Sequence, residues 1–119
     1  MDKQKFFRSF YYAFQGIVSS MKEQNMRIHL FAAIVTIVAS IVTGLSILEW
    51  CIVIIVVALV IGAEMFNTAI EKVVDLVSPD FHPLAKLAKD IAAGAVLVFA
   101  CMSVIIGILI FVPKWLSLF

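Results

Sequence analysis

The 119-residue chain is 64% hydrophobic and only 14% charged, with a net charge of +1. That surplus of apolar surface excludes an ordinary water-soluble domain, and the length allows one small domain, here residues 1–119, embedded in a membrane. The net charge says little about partners, and no nucleic-acid partner is expected.

In chain order, Phe6, Phe7, Phe10, Tyr11, Phe14, Ile17, Val18 and Met21 recur at helical spacing, with Lys3, Lys5 and Arg8 grouped near the start. This pattern predicts an amphipathic helix over about residues 4–22, lying at the membrane surface. The first 27 residues are studded with charge and lack a compact apolar core with a small-residue cleavage site, so the N-terminus is expected to be kept.

Three uncharged runs follow, at residues 30–48, 50–63 and 91–112. The first and third reach the length of about 20 residues needed to cross a ~30 Å hydrocarbon core, and the second does so only if it continues through Glu64 to about Val77. Spans are therefore expected at about residues 28–48, 50–77 and 85–112. Eight of the nine basic residues precede the first uncharged run or lie between the second and third. The N-terminus and the second loop are thus expected on the cytoplasmic side, with the tight turn at residues 43–49 and the C-terminus outside. Lys114 and Trp115 read as interfacial anchors. Pro79 and Pro83 punctuate the second loop, and His82 is placed to cap the helix that begins after it, with contact to a ligand's phosphate as the alternative. Cys51 and Cys101 fall at different depths, so no disulfide between them is expected.

Within the second span, Glu64, Asn67, Glu71 and Asp75 fall at about 0°, 300°, 340° and 20° around a helix, a single narrow face. Polar groups in a bilayer are costly and normally serve chemistry or transport. At ~1.5 Å per residue from Trp50, Glu64 lies about 21 Å deep and Glu71 about 31 Å, just under and at the cytoplasmic interface. At similar depth the first span begins with Glu23, Asn25, Arg27 and His29, and the third with Lys86, Lys89 and Asp90. Carboxylates with one amide form a hard-oxygen set suited to Mg²⁺, which substrate phosphates commonly complete, and lysines suit the phosphates. Such a site could hold a nucleotide while a membrane alcohol approaches from the side, with Glu64, the deepest carboxylate, as general base. A proton or cation pathway in a small transporter fits the stripe as well. Helix–helix hydrogen bonding explains Asn67, but explains three carboxylates on one face poorly.

The segment Glu64, Asn67, Thr68, Ala69, Ile70, Glu71, Val74 and Asp75, with Ala88, Lys89 and Asp90 downstream, matches E-x-x-N-[ST]-A-I-E-x-x-V-D followed by A-K-D. It closely resembles the prokaryotic diacylglycerol kinase family over nearly the whole chain. The resemblance implies an all-α integral membrane protein of the bacterial cell membrane. It would carry a surface helix and three spans, and assemble as a homotrimer with active sites shared between subunits. It implies transfer of the γ-phosphoryl group of MgATP to a lipid alcohol. Glu64 then corresponds to the catalytic base, Glu23 and Glu71 to metal-binding carboxylates, and Asn67, Lys89 and Asp90 to residues that organise the nucleotide phosphates. Asp75 matches a family acid.

His82, Pro83, Leu84, Ala85 and Lys86, with the run Ala92, Ala93, Gly94 and Ala95, resemble the Gram-positive branch, which acts chiefly on undecaprenol. The Gram-negative diacylglycerol branch carries acidic residues where His29 and Pro83 stand here. Undecaprenol is therefore the expected acceptor and diacylglycerol the alternative. Ala58 with Gly62, and Ala88 with Ala92, are small-xxx-small pairs expected to let helices approach closely.

Overall fold

A chain crossing hydrocarbon must satisfy its backbone internally, which for a sequence without alternating strand patterns leaves helices. The computed structural model describes residues 2–119 and consists of α1 (Lys3–Ser20), α2 (Gln24–Thr43), α3 (Ile47–Val77) and α4 (Pro83–Leu118). The last three are long and apolar enough to cross a membrane. The protein is thus an all-α membrane protein with three candidate spans. Its longest dimension, 55 Å, matches the length expected for the 36 residues of α4 at ~1.5 Å each.

Each helix starts and stops for local reasons. Asp2 caps α1 by accepting from the amides of Gln4 and Lys5. Beyond α1, the Arg27 guanidinium donates to the carbonyls of Met21 (3.3 Å) and Lys22 (2.9 Å), pinning the turn that carries Glu23. Gly44 ends α2 at φ +79°, a left-handed conformation that a side chain resists. Ser46 and Glu49 then form a reciprocal capping box at the start of α3. His82 caps α4 as its position before Pro83 suggested, Nδ1 accepting from the Leu84 amide at 3.1 Å. Helix α4 continues past Pro113 to Leu118, because its last turns are tied to the neighbouring helices. There Trp115 Nε1 donates to Thr43 Oγ1 (2.9 Å), and Lys114 pairs with Glu49 (3.0 Å).

Packing is most extensive between α3 and α4, with α2 alongside α3. Val53, Ile110 and Phe111 form a small buried core near the Gly44 turn, flanked by Ala39, Leu45, Ile52, Val57 and Ile106. Most other apolar side chains face outward, including Phe7, Phe10 and Phe14 of α1, as lipid contact requires. Of the small-residue pairs, Ala92 is buried, whereas Ala58 is exposed and a Cβ on Gly62 would meet nothing within 4 Å. Close approach at the Ala58 and Gly62 pair is therefore not used within one chain. Cys51 and Cys101 are both free and exposed.

The turn makes a specific demand on Gly44. Gly44→Ala is expected to lower stability by about 1 kcal/mol. Gly16→Ala, in the exposed interior of α1 with open space around it, is expected to raise the stability of that helix by roughly 0.5–1 kcal/mol. Thermal unfolding of the two variants in detergent micelles, followed by circular dichroism, checks the opposite signs.

Candidate active site

The polar stripe on α3 passes from the interior to the surface as it runs toward the helix end. Glu64 and Asn67 are each 3% exposed, Thr68 is buried, Glu71 is half-buried and Asp75 is exposed. A carboxylate buried among apolar helices requires a partner. Glu64 finds one on α2, where His29 Nε2 stands 3.6 Å from its Oε2. Glu64 also lies within electrostatic range of Glu71 and Glu23, so these three acids share one neighbourhood.

The other acids are paired in different ways. Glu23, just before α2, lies 3.5 Å from Lys72 of α3, a contact that draws the α1–α2 turn onto the stripe. Asp75 pairs with Lys89, joining α3 to α4. Glu71 accepts from Asn67 Nδ2 at 2.9 Å. Among the described residues it is the one stripe carboxylate with no Lys, Arg or His nitrogen within 4 Å.

Of the residues singled out from sequence, Glu64, Asn67, Glu71 and Glu23 come together. Lys89 reaches the stripe only at its outer end, through Asp75. Asp90 is exposed, pairs with Lys86 one turn earlier on α4, and makes no hydrogen bond or ion pair to α3. Two neighbours were not picked out as site residues. His29 contacts Glu64, and its signals in the sequence are its depth and its place where the Gram-negative branch carries an acid. Lys72 contacts Glu23, yet in the sequence it counts only as a charge that orients the chain.

A divalent cation is tested by the donor set. Among the described residues no group of three or more His, Cys, Asp or Glu side chains is placed to hold a metal ion by itself. Beside Glu71, however, the buried Oδ1 of Asn67 has no hydrogen-bond partner. An acid without a cation and an unfilled amide oxygen are oxygen donors that fit Mg²⁺, an ion that keeps waters and takes one or two carboxylates plus phosphate oxygens.

Two openings flank the site. An apolar cavity of about 450 Å³ between α2, α3 and α4 extends from His29 past Ala39 to Trp115. On the other side, a cleft of about 340 Å³ at the α3–α4 loop is lined by Asp75, His82, Lys86 and Lys89 among others. A buried carboxylate thus stands between an opening suited to hydrocarbon and an end rich in lysine and acid. That arrangement suits transfer of a charged group onto a membrane-embedded acceptor.

Comparison with known proteins gives a match to the prokaryotic diacylglycerol kinase family over residues 11–111. The chain is 47% identical to an undecaprenol kinase of Bacillus subtilis (strain 168), over 95% of this chain and 93% of that one. It is 42% identical to a diacylglycerol kinase of a Synechocystis species, over 92% of this chain and 64% of the relative. A diacylglycerol kinase of Helicobacter pylori (strain J99) is 34% identical over 80% of this chain and 75% of its own length.

The exposed pairing of Lys89 with Asp75 is of the kind that contributes little to stability, typically below ~1 kcal/mol. Asp75→Asn should therefore leave the unfolding temperature in detergent nearly unchanged. Any loss of activity in this variant then reports on chemistry and not on folding.

Proposed function

We propose that this chain, which belongs to the prokaryotic diacylglycerol kinase family and is therefore a membrane lipid kinase, phosphorylates undecaprenol to undecaprenyl phosphate with ATP and Mg²⁺. The observation that carries the acceptor is the likeness to the Bacillus subtilis undecaprenol kinase, which covers 95% of this chain and 93% of that one. Diacylglycerol is the second reading, favoured by the several diacylglycerol kinases among the relatives. Family membership weighs against the cation pathway that the stripe alone allowed.

In this reading the acceptor oxygen attacks the γ-phosphorus of ATP. The bond from that phosphorus to the oxygen bridging to ADP breaks, and the hydroxyl proton passes to the Glu64 carboxylate. Burial of Glu64, where water is scarce, supports its role as the base, and general-base help of this kind contributes typically 10²–10⁴-fold. Glu23 and Glu71, with Asn67 beside them, would hold Mg²⁺, which when bound neutralises phosphate charge. Lys72 shields Glu23 from the outer side and is exposed enough to move aside. Lys89 would turn from Asp75 toward the phosphates. Asp90 would act at the edge of the site, where its partner Lys86 also lines the loop cleft.

The N-terminus, α1 and the α3–α4 loop would face the cytoplasm, where ATP is available, in keeping with the distribution of basic residues. The exposed apolar faces of α2, α3 and α4, including Ala58 and the open Gly62, support assembly as a homotrimer with sites completed between subunits.

Phosphate transfer from radiolabelled ATP, with undecaprenol and diacylglycerol offered in parallel in mixed micelles, tests the reading. Labelling is expected chiefly in undecaprenol, and preferential labelling of diacylglycerol would keep the chemistry but overturn the acceptor. Glu64→Gln is expected to lower turnover by at least ~100-fold while ATP binding persists. Loss of nucleotide binding in that variant would assign Glu64 to the metal instead. Glu71→Gln should raise the Mg²⁺ concentration needed for half-maximal activity, and an unchanged Mg²⁺ dependence would remove Glu71 from the metal site.

A further inference from the structure

His29 stands between two features of the site. One is the Glu64 carboxylate, 3.6 Å away and almost fully buried. The other is the apolar cavity between α2, α3 and α4, in which His29 is the single titratable side chain among the lining residues. The remaining polar hydrogens of that lining are already committed. Thr36 donates to the carbonyl of Ala32 (2.8 Å), Ser103 to that of Ala100 (2.6 Å), and the Trp115 indole to Thr43. From His29 to Ala39 the cavity follows α2 for about 15 Å. It therefore presents hydrocarbon-like walls along its length and one imidazole at the end beside Glu64.

A separation of 3.6 Å is longer than a hydrogen bond, yet a small side-chain movement would close it. Glu64 lies on α3 and His29 on α2, so the contact sets the carboxylate relative to the α2 wall of the cavity. On its own helix Asn67, whose two Nδ2 hydrogens serve Glu71 and Glu64, also bonds the Glu64 carboxylate, but a bond within α3 does not tie that carboxylate to α2. The acids near Glu64 are Glu71 and Glu23, which offer it no donor.

We propose that His29 is a positioning residue. Its imidazole donates to the Glu64 carboxylate and holds it toward the cavity mouth, where the hydroxyl of the lipid acceptor arrives. This rests on the reading of Glu64 as the base. Because His29 acts through Glu64, its removal misplaces the base without disturbing the nucleotide. A group that keeps an N–H at similar reach restores the contact.

The test is steady-state phosphorylation of undecaprenol in mixed micelles by the full-length protein and by His29→Leu, His29→Ala and His29→Gln. The same substitutions are made in a Glu64→Gln background, with residual rates read by prolonged radiolabelling. His29→Leu and His29→Ala are expected to lower kcat on the order of tenfold or more, the scale of a misoriented reacting group, with KM for MgATP unchanged. His29→Gln is expected to recover most of kcat, and in the Glu64→Gln background His29→Leu and His29→Ala are expected to have little further effect. A His29→Gln variant as slow as His29→Ala would overturn the proposal, as would an increase in KM for MgATP at unchanged kcat. Full persistence of the His29→Ala loss on top of Glu64→Gln would overturn it while leaving Glu64 as base. Wild-type turnover by Glu64→Gln alone would instead overturn the base reading, and this proposal with it.

Discussion

A carboxylate held among apolar helices is the constraint around which one end of this protein is arranged. Glu64 is nearly inaccessible, and an ionised group in such surroundings is tolerated only with partners. The partner is supplied by α2 through His29. The acids that follow on the same face draw in other elements as they approach the surface. Lys72 holds the α1–α2 turn through Glu23, and Lys89 of α4 meets Asp75. Three helix termini thus meet around one polar face, although the exposed pairs among them add little to stability.

The two ends of the helices are built on different principles. At the Gly44 turn, a left-handed glycine, a capping box, an indole-to-threonine hydrogen bond, an ion pair and the core of Val53, Ile110 and Phe111 reinforce one another. At the opposite end the ion pairs are exposed, clefts open on the loop side, and α1 lies with its aromatic residues outward. Exposed pairs exchange partners at low cost, whereas an interlocked turn does not. An enzyme that admits a nucleotide from water and a lipid from the side needs adaptable groups at one end and a fixed reference at the other.

The outward faces of the spans follow the same economy. Lipid tails are as apolar as leucine, so side chains that cover one another in a soluble domain can remain uncovered here, and association depends on close packing and polar contacts. Ala92 serves packing inside the chain, while Ala58 and Gly62 present a flat strip to whatever adjoins α3.

Much was legible in the sequence because it follows from composition and period. Apolar runs of spanning length, prolines around His82 and the aromatic spacing of α1 are local properties, and bilayer thickness converts them directly into helices. The shared face of Glu64, Asn67, Glu71 and Asp75 was equally legible, since helical geometry alone puts them there. The motif they belong to identified the family. What only the tertiary structure decided is which side chains from other helices meet that face. Helical period places residues around one axis but carries no information on how separate helices rotate against one another. The contacts of His29 with Glu64, Lys72 with Glu23 and Lys89 with Asp75, and the outward position of Asp90, therefore emerged only from the packed chain.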